Sequence, residues 1–259
     1  MRLTDKAIIV TGSTTGIGAE MARHFVAEGA RVLVHGTNRE RGEKLVAELG
    51  AENTLHLDDL SDPAAPTRIV QAAVNAFGKL DTVVNNAACV PKSELLSTTV
   101  DLWDRTMAIN SLAPLLMIQA ALDHLCETKG NALNIGSINA YCGEPGLLAY
   151  SMSKGALQTM TRNLGDSLHQ RYGVRVNQIN PGWILTDNEI ERKLEHGVKP
   201  GWERRVPKVF APSGELIDPA VIATAAVYYV GDESRPISGS IVELEQYPVI
   251  GRNPSKAEE

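Results

Sequence analysis

Tyr150 and Lys154 stand four residues apart, and Ser137 lies thirteen residues before the tyrosine. On a helix this spacing puts the phenol and the ammonium on one face. A free phenol has a pKa of about 10 and a neighbouring cation favours the phenolate, so the pair is expected to exchange a proton near neutral pH. Ser137 would add a hydroxyl donor to the oxygen of a reacting carbonyl. Tyr-x-x-x-Lys also describes many solvated helix faces, so its meaning depends on what positions it.

The start of the chain supplies a second chemical feature. Lys6–Val10 reads as a short apolar strand running into Thr11-Gly-Ser-Thr-Thr-Gly-Ile-Gly18, and Ala19–Glu28 then follows with helical apolar spacing. Gly12, Gly16 and Gly18, with Thr14, Thr15 and Ile17 among them, form a turn that exposes backbone N–H groups at a helix N-terminus. A pyrophosphate is well placed there. An ordinary strand-to-helix turn is the alternative, but it seldom needs three glycines in seven residues. The spacing is neither G-x-G-x-x-G nor the Walker loop, whose terminal Gly-Lys-Ser/Thr is missing.

The intervening sequence alternates strand-like and helical patterns. After the first strand, strands are predicted at Ala30–His35, Asn53–Leu57, Leu80–Asn85, Asn131–Gly136, Val174–Asn180 and Ser240–Leu244. Helical spacing covers Glu40–Leu49, Pro63–Phe77, Leu102–Leu125, Ala149–Tyr172 and Pro219–Val230. This order predicts an α/β fold, a doubly wound parallel sheet of about seven strands with helices on both faces and ligands at the carboxyl ends of the strands. Residues 1–250 are read as one domain, 187–216 as an irregular Pro- and Gly-rich lid, and 251–259 as a polar tail. No internal repeat or interdomain linker interrupts the pattern.

Taken together, these motifs resemble the short-chain dehydrogenase/reductase family in its compact, single-domain branch. Thr11–Gly18, Asn85-Asn-Ala-Ala88, Asn110, Ser137, Tyr150 with Lys154, and Pro181-Gly182 follow the family's order, and the resemblance covers about residues 3 to 245. It implies a Rossmann-type fold and hydride transfer between NADP(H) or NAD(H) and a carbonyl or secondary alcohol. Sugars, polyols, hydroxy acids and 3-oxoacyl groups are candidate substrates. By the same resemblance Lys154 also bonds the nicotinamide ribose, Asp59 and Leu60 contact the adenine, and Asn86, Ala87 and Ala88 lie beside the adenosine ribose. Pro181, Gly182, Ile184 and Thr186 flank the nicotinamide, and the long helices pair subunits into a homotetramer or homodimer. Ala88 stands where the family has glycine, and Val242-Glu-Leu-Glu245 replaces its usual Val-Asp-Gly-Gly.

Asn110 can also be argued from physics. Pro114 has no N–H, so the carbonyl four residues before it loses its helical partner and is free to hold a water; the family resemblance implies that this water links Lys154 to solvent. A simple kink is the alternative. The end of the second strand reads Val34-His-Gly-Thr-Asn-Arg39, with no carboxylate to repel a 2′-phosphate. Thr37 and Asn38 could donate hydrogen bonds and Arg39 or Arg41 a charge-assisted one, which favours NADP over NAD. The alternative is that both arginines solvate the next helix. The cations of the lid, Arg192 and Lys193 among them, read chiefly as a solvated charge mix with Glu195 and Glu203.

Composition excludes other classes. A net charge of −6 argues against nonspecific binding to nucleic acid. The longest apolar run, 112–122, is interrupted by Pro114 and Gln119, well short of the roughly 18 residues of a membrane span. Met1–Asp5 leads directly into the first strand, so no secretory signal is expected. Cys89, Cys126 and Cys142 are odd in number and lack metal spacing, which suits a reducing cytoplasm; Cys142 reads as a small buried filler. Two other functions stay open: a catalytically silent dinucleotide sensor, and a hydrolase suggested by Gly165-Asp-Ser-Leu168, which falls mid-helix.

Overall fold

The computed structural model describes residues 1–195 and 197–249, so residue 250 and the polar tail expected at 251–259 lie outside the described residues. Strands β1 (Ala7–Val10), β2 (Arg31–Gly36), β3 (Thr54–Leu57), β4 (Thr82–Asn85), β5 (Asn131–Ile135), β6 (Arg175–Pro181) and β7 (Ile241–Leu244) form one sheet. Every pairing is parallel, in the order β3-β2-β1-β4-β5-β6-β7. The chain winds outward from β1 to β3 and then crosses back to β4. Strand order therefore reverses between β1 and β4, which opens a crevice at their carboxyl ends.

The helices are α1 (Gly16–Ala27), α2 (Arg39–Leu49), α3 (Ala65–Phe77), α4 (Val100–Met107), α5 (Ala113–Thr128), α6 (Asn139–Cys142), α7 (Leu148–Tyr172), α8 (Asp187–Glu195) and α9 (Pro219–Val230). Alternate residues of each strand serve opposite faces. Ile8 and Val10 of β1 join Met21, Phe25, Ile222 and Val227 in a core beneath α1 and α9. Ala7 and Ile9 join Ile69, Met117, Leu125 and Leu168 beneath α3, α5 and α7. Burial on both faces is why β1, Ala-Ile-Ile-Val, is continuously apolar rather than alternating.

Two elements differ from the sequence reading. The single helix expected at 102–125 is α4, a π-helical turn at Ala108–Leu112, and α5. Pro114 cannot donate to the carbonyl of residue 110, and the ladder slips so that the Ala113 N–H reaches the carbonyl of Ala108, five residues back. The lid, expected to be irregular, contains α8. The whole helical run Val100–Thr128 is long and apolar enough to cross a membrane by length and composition, with mean hydropathy 1.2. Its apolarity is explained by the core: Ala113, Met117, Ile118, Ala121 and Leu125 pack against the sheet and α3.

Gly165 lies in the middle of α7, where the hydrolase-like signature placed it, and Ser167 sits on the helix rather than at an exposed strand-to-helix turn. The glycine is there for packing: a Cβ would overlap the backbone of Gly239, just before β7. Because backbone atoms cannot yield as a flexible side chain can, Gly165→Ala is expected to cost on the order of 2 kcal/mol, read as a lower urea midpoint at an unchanged m-value.

Candidate active site

The end of β5 and the first turn of α7 bring the chemical residues together. β5 stops at Ile135 and Ser137 follows two residues later, while Tyr150 and Lys154 occupy successive turns at the start of α7. The Ser137 N–H donates to Asn180 Oδ1 of β6 at 3.2 Å, and its Oγ accepts from the Asn139 N–H at 3.2 Å. The Ser137 hydroxyl faces the Tyr150 phenol across the cleft and favours its ionised form. Lys154 is 2 % exposed and its Nζ donates to the Ile135 carbonyl at 2.7 Å. All three line one cleft of about 810 Å³ at the carboxyl edge of the sheet.

The electrostatics differ from the sequence expectation. Loss of water pushes the Tyr150 phenol above its ordinary value, opposed by the hydrogen bond with Ser137 and by the Arg192 guanidinium. The Lys154 ammonium is not what tunes the phenol here: it points to the Ile135 carbonyl and lies 5.7 Å from the centre of the Tyr150 ring. Burial lowers Lys154 to about 8. The expected pairing on one helix face is present, but desolvation outweighs it.

Asn110 lies in the π turn, 1 % exposed. Its Oδ1 accepts from the Cys89 N–H at 2.7 Å, and its Nδ2 donates to the Cys89 carbonyl at 2.8 Å and to Ser153 Oγ at 2.9 Å. Ser153 Oγ in turn donates to the Tyr150 carbonyl at 2.6 Å. Asn110 thus joins the segment after β4 to the helix that carries Tyr150 and Lys154. Ser153 was not singled out by sequence, although its place inside the Tyr-x-x-x-Lys motif was a usable signal.

The glycine turn has the geometry of a phosphate cradle. Gly12 and Gly16 have φ of 62° and 57°, the left-handed region that favours glycine. A Cβ at Gly12 would meet the backbone of Ala87, and one at Gly18 the side chain of Asn86 and the carbonyl of Gly12. α1 begins at Gly16, three residues earlier than expected; its N-cap Thr15 makes no side-chain cap bond and its first turn has no acidic residue. Its N-terminal N–H groups are therefore left for an anion. Asn86 braces the turn by donating to the carbonyls of Thr11 and Gly12 at 2.8 and 3.1 Å. Ala87 donates its N–H to Thr11 Oγ1, and Ala88, in place of the family's glycine, is not among the residues with positive φ.

The adenine side departs more from expectation. Asn38 caps α2, accepting from the Arg41 N–H at 2.9 Å, and Arg39 lies along the same exposed helix against Glu43 at 3.2 Å. Arg39 thus follows the solvated-helix alternative, while Arg41 turns away from its helix toward Asn188 and Glu191 of α8, at 3.4 and 3.6 Å. Thr37 is exposed beside them, and Thr14 packs against Gly36. Asp59 accepts from the Ser61 N–H at 2.9 Å and pairs with Arg105 at 3.3 Å, and Leu60 is buried in the core. Their side chains are engaged in the protein, which leaves backbone and residual acceptor capacity for an adenine.

β6 runs into the far wall of the cleft. Pro181 ends the strand, and the Gly182 N–H donates to the Leu244 carbonyl of β7 at 2.9 Å. Ile184 is buried and bridges to Ile217, and Thr186 Oγ1 accepts from the Glu189 N–H at 3.1 Å, capping α8. Glu189 and Trp183, which the sequence did not single out, complete this wall with residues of the lid and of the chain end. Glu189 accepts from Trp183 Nε1 at 2.9 Å and pairs with Arg192 at 3.0 Å, while the Glu245 carboxylate accepts from the Trp183 N–H at 3.2 Å and packs on Gly182. Lys193 lies 4.9 Å above the Trp183 ring, itself stacked on Trp202 at 5.6 Å. Arg192 and Lys193 therefore face the cleft instead of solvating the lid. Cys142, read as buried filler, is exposed and lines the cleft, because α6 ends there at Gly143.

Comparison with known proteins agrees with this geometry. Residues 6–196 match the family described as short chain dehydrogenase. The chain is 36% identical over 245 residues to the short-chain dehydrogenase/reductase FrzI of Cladobotryum sp, covering 93% of this chain and 94% of that protein. It is 32% identical to the NADP-dependent (R)-specific alcohol dehydrogenase of Lentilactobacillus kefiri, covering 92% and 94%. It is 30% identical to the 3-beta-hydroxysteroid dehydrogenase of Comamonas testosteroni, again covering 92% and 94%.

The buried ammonium makes a measurable trade. The folded pKa of Lys154, about 8, lies below the ordinary 10.5, so the unfolded chain holds more protons between those values and stability falls as pH drops through that window. At neutral pH the burden is about 3 kcal/mol, and Lys154→Met is expected to raise the melting temperature by several degrees while abolishing turnover. Calorimetry and a nicotinamide absorbance assay on the same sample check both halves.

Proposed function

The chain belongs to the short-chain dehydrogenase family, and from that membership we propose how its cleft moves a proton in step with a hydride. It is an NAD(P)-dependent oxidoreductase acting on CH–OH groups, interconverting a carbonyl and an alcohol. The glycine cradle, the uncapped start of α1 and the residues around Pro181 fit a dinucleotide, which when bound supplies the hydride donor or acceptor.

The observation that carries the mechanism is the meeting of the Ser137 hydroxyl, the Tyr150 phenol and a buried ammonium in one cleft. In reduction, Tyr150 gives its hydroxyl proton to the substrate oxygen, and Ser137 donates a hydrogen bond to the same atom. A phenol held above its ordinary value keeps its proton until the oxygen becomes basic. Lys154 holds the positive charge that balances the phenolate left behind. Asn110 fixes α7 against the segment after β4, and the π turn leaves its carbonyl without the partner Pro114 cannot supply, as a seat for the water that returns the proton.

NADP is the proposed nucleotide. The end of β2 carries no carboxylate, and Arg41 is the guanidinium positioned to meet a 2′-phosphate once released from Glu191. The similarity to the NADP-dependent alcohol dehydrogenase of Lentilactobacillus kefiri supports this. The proposed substrate is an uncharged secondary alcohol or ketone with an apolar body. Trp183, Phe210 and Leu147 offer it apolar surface, and Arg192 and Glu189 on the same wall neutralise each other. The exposed apolar residues Leu112, Leu115, Leu148 and Met152, at and beside α5 and the start of α7, suit pairing of subunits into a dimer or tetramer. A reducing cytoplasm suits three unbonded cysteines.

Tyr150→Phe is expected to lower kcat by at least a hundredfold with nucleotide Kd unchanged, and residual turnover near wild type would remove Tyr150 as the proton donor. In a panel of matched alcohols assayed with NADP and NAD, neutral alicyclic substrates and NADP should give the higher kcat/KM. A tenfold preference for NAD, or for anionic hydroxy acids, would overturn these assignments. Sedimentation at micromolar concentration reads the assembly, and a monomer would refute it.

A further inference from the structure

His35 is the fifth residue of β2, 2 % exposed, and its ring lies beneath the glycine turn. The Gly12 N–H donates to its Nδ1 at 3.2 Å, and its Nε2 is 3.2 Å from the Asp58 carbonyl. Because Nδ1 must accept, the proton is on Nε2, which donates to Asp58; one tautomer satisfies both contacts. The backbone around it is tied in the same direction, with the His35 N–H donating to Ser13 Oγ at 3.0 Å and the Ser13 N–H to the His35 carbonyl at 2.8 Å.

The two ends of this ring meet different parts of the cofactor site. Gly12 opens the cradle, in a left-handed conformation and pressed against Ala87. Asp58 directly precedes Asp59 and Leu60, the residues assigned to the adenine side. We propose that His35 is a positioning residue for the nucleotide: its neutral ring locks the phosphate cradle to the adenine-side loop at a fixed separation. This rests on the dinucleotide reading of the cradle.

A cationic ring would not serve. A second ring proton would face the Gly12 N–H, donor against donor. The surroundings keep the ring neutral: burial lowers His35 to about 4, with His56 acting in the same direction and Asp58 and Asp59 opposing. Asp58 is itself held by Arg68 of α3 at 2.7 Å and faces His56 at 3.4 Å. From the turn, only the uncharged Ser13 and Gly12 meet His35.

The test is fluorescence titration of the full chain with NADPH and NADH, beside steady-state kinetics. His35→Phe fills the same space without ring nitrogens, and His35→Gln restores one acceptor and one donor. The expected result is a roughly tenfold weaker nucleotide Kd for His35→Phe, partial recovery in His35→Gln, and kcat at saturating nucleotide within about twofold of wild type. A folded His35→Phe that binds nucleotide as tightly as wild type would overturn the proposal, as would a fall in kcat alone. Should His35→Phe not fold, nitrogen-15 NMR of the wild type decides: a neutral ring protonated at Nε2, shifting on NADPH addition, supports the role, and the Nδ1 tautomer or a cation at pH 7 refutes it. Wild-type protein that binds neither nucleotide would overturn the dinucleotide reading itself, a result distinct from equal binding by wild type and variant.

Discussion

A single buried ammonium sets the terms for the rest of the site. Lys154 Nζ reaches the Ile135 carbonyl at the end of β5 from one turn into α7, so strand end and helix start must be held in register for the charge to have any partner. Its lowered pKa records how costly that place is. The surrounding structure sustains it: β5 is buried between β4 and β6, and α7 is fastened through Ser153 and Asn110 to the segment after β4. A fold with a looser join between β5 and α7 would let water in and lose the charge to solvent.

The polar residues beneath the site follow from the same need. Asn85, Asn134 and Gln178 lie at matching register on β4, β5 and β6 and are buried. Asn85 Nδ2 donates to Asn134 Oδ1 at 2.9 Å, and Gln178 Nε2 to Asn180 Oδ1 at 2.7 Å, the atom that also accepts from the Ser137 N–H. Buried amides are tolerable when each finds a partner, and here the row ends on Ser137 at the edge of the cleft. Gly136 has room for no side chain beside this row, since a Cβ would overlap both Asn180 and Gln178.

The substrate wall obeys a different rule. The segment after β7, where the chain departs from the usual family ending, places Glu245 under Trp183 and Gln246 against the loop at 213–215. Gln246 Oε1 accepts from Ser213 Oγ at 2.7 Å and its Nε2 donates to the Glu215 carbonyl at 2.7 Å. The two ends of the lid are also joined to each other through Leu185 and Ile217. A sequence that looked like a loss of the family's glycines is a set of hydrogen bonds that shapes the cleft.

The sequence by itself determined the sheet and its strands to within two residues, and pointed to Ser137, Tyr150 and Lys154, which meet in one cleft, because apolar periodicity and motif spacing are local properties of the chain. Pro114 even pointed to a disturbance at residue 110, although its form, a π turn, depended on packing against the sheet. What only tertiary structure decided was where long side chains go. Arg39 and Arg41 look equivalent in sequence, yet one lies along its own helix and the other crosses to α8; Lys154 turns from the phenol to a strand carbonyl; and His35, one apolar-strand residue among several, ends up linking two loops. A long or ring-bearing side chain takes the partner that burial and neighbouring charge make cheapest, and those neighbours come from parts of the chain that local spacing does not bring together.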